Sequence, residues 1–158
     1  MEEQNIKKLN IEDWQKLTKA GANVHIKIEP TGFSMRPLIR GGRDMVIVEP
    51  MCREPLRGDI VLFLREDGAH VMHRIWKIEG EMVTTYGDGC WYHDEPISKE
   101  KILGLATTLY RNKGNKKTSL DTEFRRKMGL FWLGLAPLRR TYYRARNICH
   151  AIKKRFKK

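Results

Sequence analysis

The sequence predicts a mainly β fold, a coiled antiparallel sheet or small barrel with a short N-terminal helix and a basic helical C-terminal tail. Two patterns carry that expectation. Six short apolar or alternating runs lie between Val24 and Tyr110, and Gly or Pro punctuates the connections at Pro30, Gly41-Gly42, Pro50, Pro55, Gly58, Gly68, Gly80, Gly87 and Pro96. Helical periodicity is confined to the two ends. The chain of 158 residues suffices for one sizeable core plus an appendage. The division expected is a helix over 1–22, a β domain over 23–111 and a tail over 112–158.

The elements follow in order. Ile11 to Ala20 reads as a helix, with Asn10 as its cap, Glu12 and Asp13 in its first turn and Gly21 as its stop. Leu9, Trp14 and Leu17 would form its apolar face. The strands expected are Val24 to Ile28, Met45 to Val48, Ile60 to Leu64, Val71 to Ile78, Met82 to Tyr86 and Ile102 to Tyr110. Arg111 to Thr118 reads as a polar, basic linker. Asp121 to Lys158 reads as helical, broken near Pro137.

The charge is unevenly placed. Residues 111–158 hold 16 Lys and Arg against 2 Asp and Glu, leaving 15 basic and 17 acidic residues in 1–110. The body is therefore near neutral and the tail carries the +12 excess. In residues 124–158, bulky side chains such as Phe124, Met128, Phe131, Trp132 and Leu138 alternate with Lys and Arg. That pattern points to a peripheral element lying on an anionic membrane or covering the β domain. Nucleic acid is the less favoured partner, because Met128 to Leu138 is too apolar for a phosphate-binding face. That run is 11 residues long, well short of the roughly 20 that span a bilayer. Cys52, Cys90 and Cys149 are few and odd in number, and Met1 to Leu9 has no apolar leader run. The expected location is the cytoplasm, or peripherally the inner membrane surface. His25, His70, His93 and His150 have no ligand spacing, so neither metal nor cofactor is expected.

Ser34 is the most informative residue. It sits in Thr31-Gly32-Phe33-Ser34-Met35-Arg36-Pro37-Leu38, between a glycine and a Met-x-Pro turn after an apolar strand, as a nucleophile at an exposed bend would. A free hydroxyl needs a base, and His73 lies downstream in a strand where Val71, His73 and Ile75 share a face. Asp59 and Asp88 follow glycines, as turn residues do. Cys90 matches no nucleophile position and reads as a loop thiol.

The chain carries four ordered blocks: Gly-x-Ser-Met-x-Pro, Arg-Gly-Asp-Ile-Val-x-Phe, His-Arg-Ile, and Gly-Asp with a second aspartate six residues later. Together, over about residues 30–106, they resemble the serine peptidase clan of signal peptidase I and the LexA-type self-cleaving repressors. With Met72-His73-Arg74 at the base position, the resemblance is to the histidine branch of endoplasmic reticulum, archaeal and sporulation-type signal peptidases. It implies a LexA/signal peptidase fold and a peptide or precursor-protein substrate. It makes Ser34 the nucleophile, His73 the general base and Asp94 the orienting acid. Asp88 is the alternative third member or a structural residue packing the loop. The clan's oxyanion donor corresponds to the Ser34 backbone N–H, with Thr31 as a second candidate. The Arg40-Gly41-Gly42-Arg43-Asp44 turn is longer than the clan's usual Arg-Gly-Asp, with Asp44 expected to begin the next strand. The competing expectation is a non-catalytic or self-cleaving regulatory module whose basic tail binds nucleic acid. Only one short helix precedes residue 30, too little for a helix-turn-helix reader.

Overall fold

In the computed structural model, residues 10–114 and 116–141 are described. They form a mainly β structure whose curled antiparallel half-barrel sheet is flanked by helices. Helix α1 spans Ile11–Lys19, and the strands are β1 (Ile26–Ile28), β2 (Met45–Glu49), β3 (Ile60–Leu64), β4 (His70–Glu79), β5 (Met82–Tyr86), β6 (Ile97–Ser98), β7 (Ile102–Arg111) and β8 (Lys116–Ser119). Helix α2 spans Glu123–Gly134, and residues 136–141 are helical again. The strand order is β1-β2-β7-β3-β4-β5-β6. Long β7 takes β2 along one edge. Its other edge is shared, with β3 at Ile102 to Leu105 and β8 at Thr108 to Arg111.

Both faces of this sheet are packed. In β3, Ile60 and Leu62 enter a core with Trp14, Met35, Ile39, Val46 and Leu109, while Val61 and Phe63 enter a second core with Ile75, Val83 and Ile97. This two-sided burial is why β3 reads as an unbroken apolar run rather than an alternating one. Trp14 is fully buried and its Nε1 donates to the Val24 carbonyl at 2.7 Å. Gly104 makes room for it, since a Cβ there would lie 2.7 Å from Trp14 Cη2.

The Asn10 cap forms as expected, its side chain accepting from the Asp13 N–H at 2.7 Å. Leu17, however, is not part of the apolar face: it is 42% exposed, because the short helix turns only Trp14 and Ile11 toward the sheet. Leu9 lies outside the described residues. Asp44 directly precedes β2 and is buried, accepting from the Arg40 N–H at 2.9 Å and from the Arg43 guanidinium at 2.6 and 2.7 Å. The longer turn packs behind the serine segment, with the Gly42 N–H donating to the Pro30 carbonyl at 2.8 Å.

The linker expected at Arg111 to Thr118 is a correction. β7 runs through Arg111 and β8 pairs back onto it, so Lys116 to Thr118 belong to the sheet, with the Lys116 and Lys117 side chains exposed while the backbone completes the ladder. Leu120 then enters the first core. Over residues 116–141 the tail is not separate from the β domain. Thr122 caps α2, and Arg126 pairs with Asp121 at 2.8 Å beside an Arg53–Asp59 pair at 2.7 Å. Leu133 and Ala136 pack with Tyr86. Gly129 sits so close to Arg74 that a Cβ would lie 2.2 Å from its Cζ. The helical interruption falls at residue 135, two before Pro137, near the break expected from the sequence. The tail beyond residue 141 lies outside the described residues.

Candidate active site

The serine turn begins where β1 ends. Met35 and Ile39 are buried in the first core and anchor it, and the Ile39 N–H donates to the Met35 carbonyl at 2.9 Å. Ser34 is thereby left half-buried on a bend whose other residues, Thr31 to Phe33 and Arg36, are exposed. The Ser34 N–H donates to nothing among the described residues. The Ser34 carbonyl accepts from the Gly89 N–H at 2.6 Å.

His73 lies in the middle of β4, paired in register with Val61 of β3 and edge-on to the Phe63 ring at 6.2 Å between centroids. Its Nδ1 is 2.5 Å from Asp94 Oδ2, and the same oxygen accepts from the Thr85 hydroxyl at 2.6 Å. Asp94 is held by its backbone as well, its N–H donating to the Thr85 carbonyl at 2.8 Å. Burial alone pushes the Asp94 carboxyl up, but the hydrogen bonds from His73 and Thr85 and the charge of His73 outweigh it, so the group ionises below its ordinary value. In the neutral ring an ionised Asp94 makes Nδ1 the donor and so leaves Nε2 as the acceptor.

The loop after β5 brings serine and histidine together. Gly87 lies where they meet: a Cβ there would be 2.7 Å from the Ser34 carbonyl oxygen, 3.0 Å from His73 Nε2 and 2.7 Å from Cys90 Sγ. At Gly89 a Cβ would lie 3.0 Å from the carbonyls of Phe33 and Arg36. Glycine is required at these positions by close approach. No hydrogen bond joins the Ser34 hydroxyl to His73 in this geometry among the described residues; such bonds commonly tighten only around a bound substrate.

Asp88 does not face His73. Its carboxylate takes both forks of the Arg74 guanidinium, at 2.8 and 2.9 Å, in a pair that is almost fully buried. Arg74 also donates to the Gly58 carbonyl at 2.7 Å, while the Asp88 carbonyl accepts from Trp132 Nε1 at 2.7 Å and from the Arg139 guanidinium at 2.8 Å. Of its two expected roles, the structure gives Asp88 the loop-packing one. Asp59 is likewise structural, capping its turn by accepting from the Leu56 N–H at 2.8 Å. Burial, reinforced by Asp94 and Asp88, pushes the Cys90 thiol up, which keeps it protonated and poorly nucleophilic.

Beside Ser34 is a cleft of about 300 Å³, lined on its apolar walls by Met35, Ile39, Leu62 and Met72, with Thr31 at its rim. Thr85, Gly87 and Arg74 were not read from the sequence as site residues. The alternation of β5 and the Gly-Asp-Gly run were the only signals available for the first two. Among the described residues no group of three or more His, Cys, Asp or Glu is arranged to hold a metal, and no helix is long and apolar enough to cross a membrane.

Comparison of the chain with protein-family models, with curated proteins and with solved structures finds no match.

Proposed function

We propose that this chain is a serine endopeptidase that cuts a peptide or precursor protein, as in leader or signal-peptide processing, with Ser34 as nucleophile, His73 as general base and Asp94 as orienting acid. The observation that carries the reading is the His73–Asp94 pair at 2.5 Å, with Nε2 directed at the Gly87 position that also touches the Ser34 carbonyl. The four ordered sequence blocks resembling the histidine branch of the signal peptidase and LexA-type clan support the same assignment.

The chemistry follows from these groups. Nε2 takes the Ser34 hydroxyl proton as Oγ attacks the peptide carbonyl, and Asp94 stabilises the imidazolium. The Ser34 N–H faces the developing oxyanion, with Thr31 as the second candidate donor. Collapse breaks the C–N bond, the imidazolium gives its proton to the leaving amine, and the acyl group stays on Oγ. A water deprotonated by Nε2 then attacks the acyl carbon and releases Ser34. The apolar cleft receives a substrate side chain next to the cut.

The setting proposed is peripheral at the inner face of an anionic membrane. Phe124, Met128, Phe131 and Leu138 form an exposed apolar ridge along the C-terminal helical segment, accompanied by Arg125, Lys127 and Arg140. The test of catalysis is labelling by a serine-reactive phosphonate probe. We expect wild type to be labelled and both Ser34→Ala and His73→Ala to lose labelling; equal labelling of all three overturns the assignment.

A further inference from the structure

The cleft beside Ser34 is graded from an aliphatic floor to a polar mouth. Of the residues that line it, the buried ones are Met35, Ile39 and Leu62, whereas Glu29, Thr31, Gly32 and His70 are exposed. Ile11, Ile28 and Met72 are partly buried and form walls between the two, packed against the first core. Leu62 and Met72 are register partners across β3 and β4, so their side chains stand side by side on one face of the sheet. At the mouth, a Cβ added at Gly32 would meet nothing within 4 Å, so the rim is unobstructed there. The walls are held in place. The Gly42 N–H ties the Pro30 carbonyl of the rim at 2.8 Å, and Ile11 opens α1, which is docked by the fully buried Trp14 and its 2.7 Å hydrogen bond to the Val24 carbonyl.

We propose that this cleft selects a bulky aliphatic side chain, leucine or methionine, at the substrate residue adjoining the cut, and that Ile11 of the N-terminal helix is a specificity-determining residue in its wall. This rests on the endopeptidase reading and deepens it by naming the side chain that the site takes. A volume of about 300 Å³ is about ten times the share of one water, and an alanine methyl of similar size leaves most of it unfilled. Each further methylene removed from water contributes about fourfold in affinity, so the three carbons by which leucine exceeds alanine are worth up to about 60-fold. A lysine or arginine would bring its charge to a floor of Met35, Ile39 and Leu62, which offers no hydrogen-bonding side chain. Met35 and Met72 favour a flexible or γ-branched occupant, because a thioether chain adapts to the shape laid against it. The polar mouth suits the other half of the same residue, whose backbone amide and carbonyl stay at the exposed rim beside Ser34.

Ile11 makes α1 part of the substrate site. It lines both the cleft and a neighbouring open groove along β1, and Ile28 and His70 are likewise common to the two. Residues shared in this way stand at the boundary where the cleft ends. The bulk of residue 11 therefore sets how long a side chain the cleft holds.

The experiment compares, on the full-length protein, two diphenyl aminoalkylphosphonate probes that differ only in the side chain next to phosphorus, isobutyl as in leucine or methyl as in alanine. Wild type is expected to react about 10- to 50-fold faster with the leucine probe. Ile11→Phe, which shortens the cleft, is expected to cut the leucine rate about tenfold and to change the alanine rate less than about threefold, with a cooperative melt confirming the fold. Ile11→Ala, which lengthens it, is expected to raise the rate of a phenylalanine-side-chain probe about threefold relative to the leucine probe. Equal leucine and alanine rates in wild type overturn the proposal. So does a folded Ile11→Phe variant that keeps the full leucine preference. The catalytic reading is separated by anisotropy on the Ser34→Ala protein, with fluorescein-labelled decapeptides carrying one central Leu or Ala. If neither probe labels wild type while the Leu peptide binds about tenfold tighter than the Ala peptide, the peptidase assignment falls and the cleft preference stays. Ser34-dependent labelling by both probes at equal rates overturns the cleft preference and leaves the peptidase.

Discussion

A methyl group at Gly87 changes no charge and removes no hydrogen bond, yet it lands where the proposed nucleophile segment, the base and the acid loop touch. The Cβ would lie 2.7 Å from the Ser34 carbonyl oxygen, against about 3.4 Å for an ordinary contact, so something must retreat by about 0.7 Å. Neither neighbour can do so freely. The Ser34 carbonyl is held at 2.6 Å by the Gly89 N–H, and His73 is tied to Asp94 at 2.5 Å. A misplacement of about 1 Å at a reacting group costs on the order of 100-fold. We therefore expect Gly87→Ala to slow phosphonate labelling about 30- to 100-fold. The overpacking penalty of about 1–3 kcal/mol leaves a protein of ordinary stability folded. Gly89→Ala, with contacts of 3.0 to 3.3 Å, should slow labelling about three- to tenfold, and Gly32→Ala, with nothing within 4 Å, should match wild type despite lying two residues from Ser34. Second-order labelling rates and a thermal melt are measured for all four proteins. If Gly87→Ala reacts within threefold of Gly32→Ala while both melt cooperatively, the convergence of Ser34 and His73 at Gly87 is not what controls reactivity, and the reasoning fails.

Three further outcomes are expected. Asp94→Asn should lower kcat/KM about 10³- to 10⁴-fold by favouring the wrong imidazole tautomer. Because the Asp94 carboxyl is depressed, its stabilisation is present above the ordinary carboxylate pKa of about 3.9 and is lost as pH falls through the lowered value. The Tm gap between wild type and Asp94→Asn should therefore be open at pH 6 and close in strong acid; a gap that widens on acidification contradicts the assignment. Arg74→Met leaves the buried Asp88 carboxylate without its partner and should cost about 3–5 kcal/mol in urea denaturation, most of it recovered in Arg74→Met/Asp88→Leu. A single variant as stable as the double would show that this pair does not hold the loop.

Much of the architecture is written locally in the chain. The bounds of β3 and β5 coincide with the apolar runs Ile60 to Leu64 and Met82 to Tyr86, because a strand buried on one or both faces must carry its apolar residues at those spacings. The Asn10 cap and the break near Pro137 follow equally from local backbone chemistry. β6, two residues long, and β8, opened by two lysines, carry no such pattern. They are strands because the backbones of β5 and β7 offer them hydrogen bonds, and side-chain composition does not register that.

The candidate site divides the same way. By itself the sequence determined which chemistry was available: a serine on a Met-x-Pro turn, a histidine in a strand with apolar neighbours, and two loop aspartates, one in the Gly-Asp block and one six residues later. Only the tertiary structure decided between those aspartates, turning Asp94 to His73 and burying Asp88 against Arg74. It also decided that Gly87 and Gly89 are contact points and that α2 closes over Arg74 through Gly129. The physical reason is range: periodicity and capping act within a few residues, whereas ion-pair partners and close approaches are chosen by chain segments that meet only when the sheet curls.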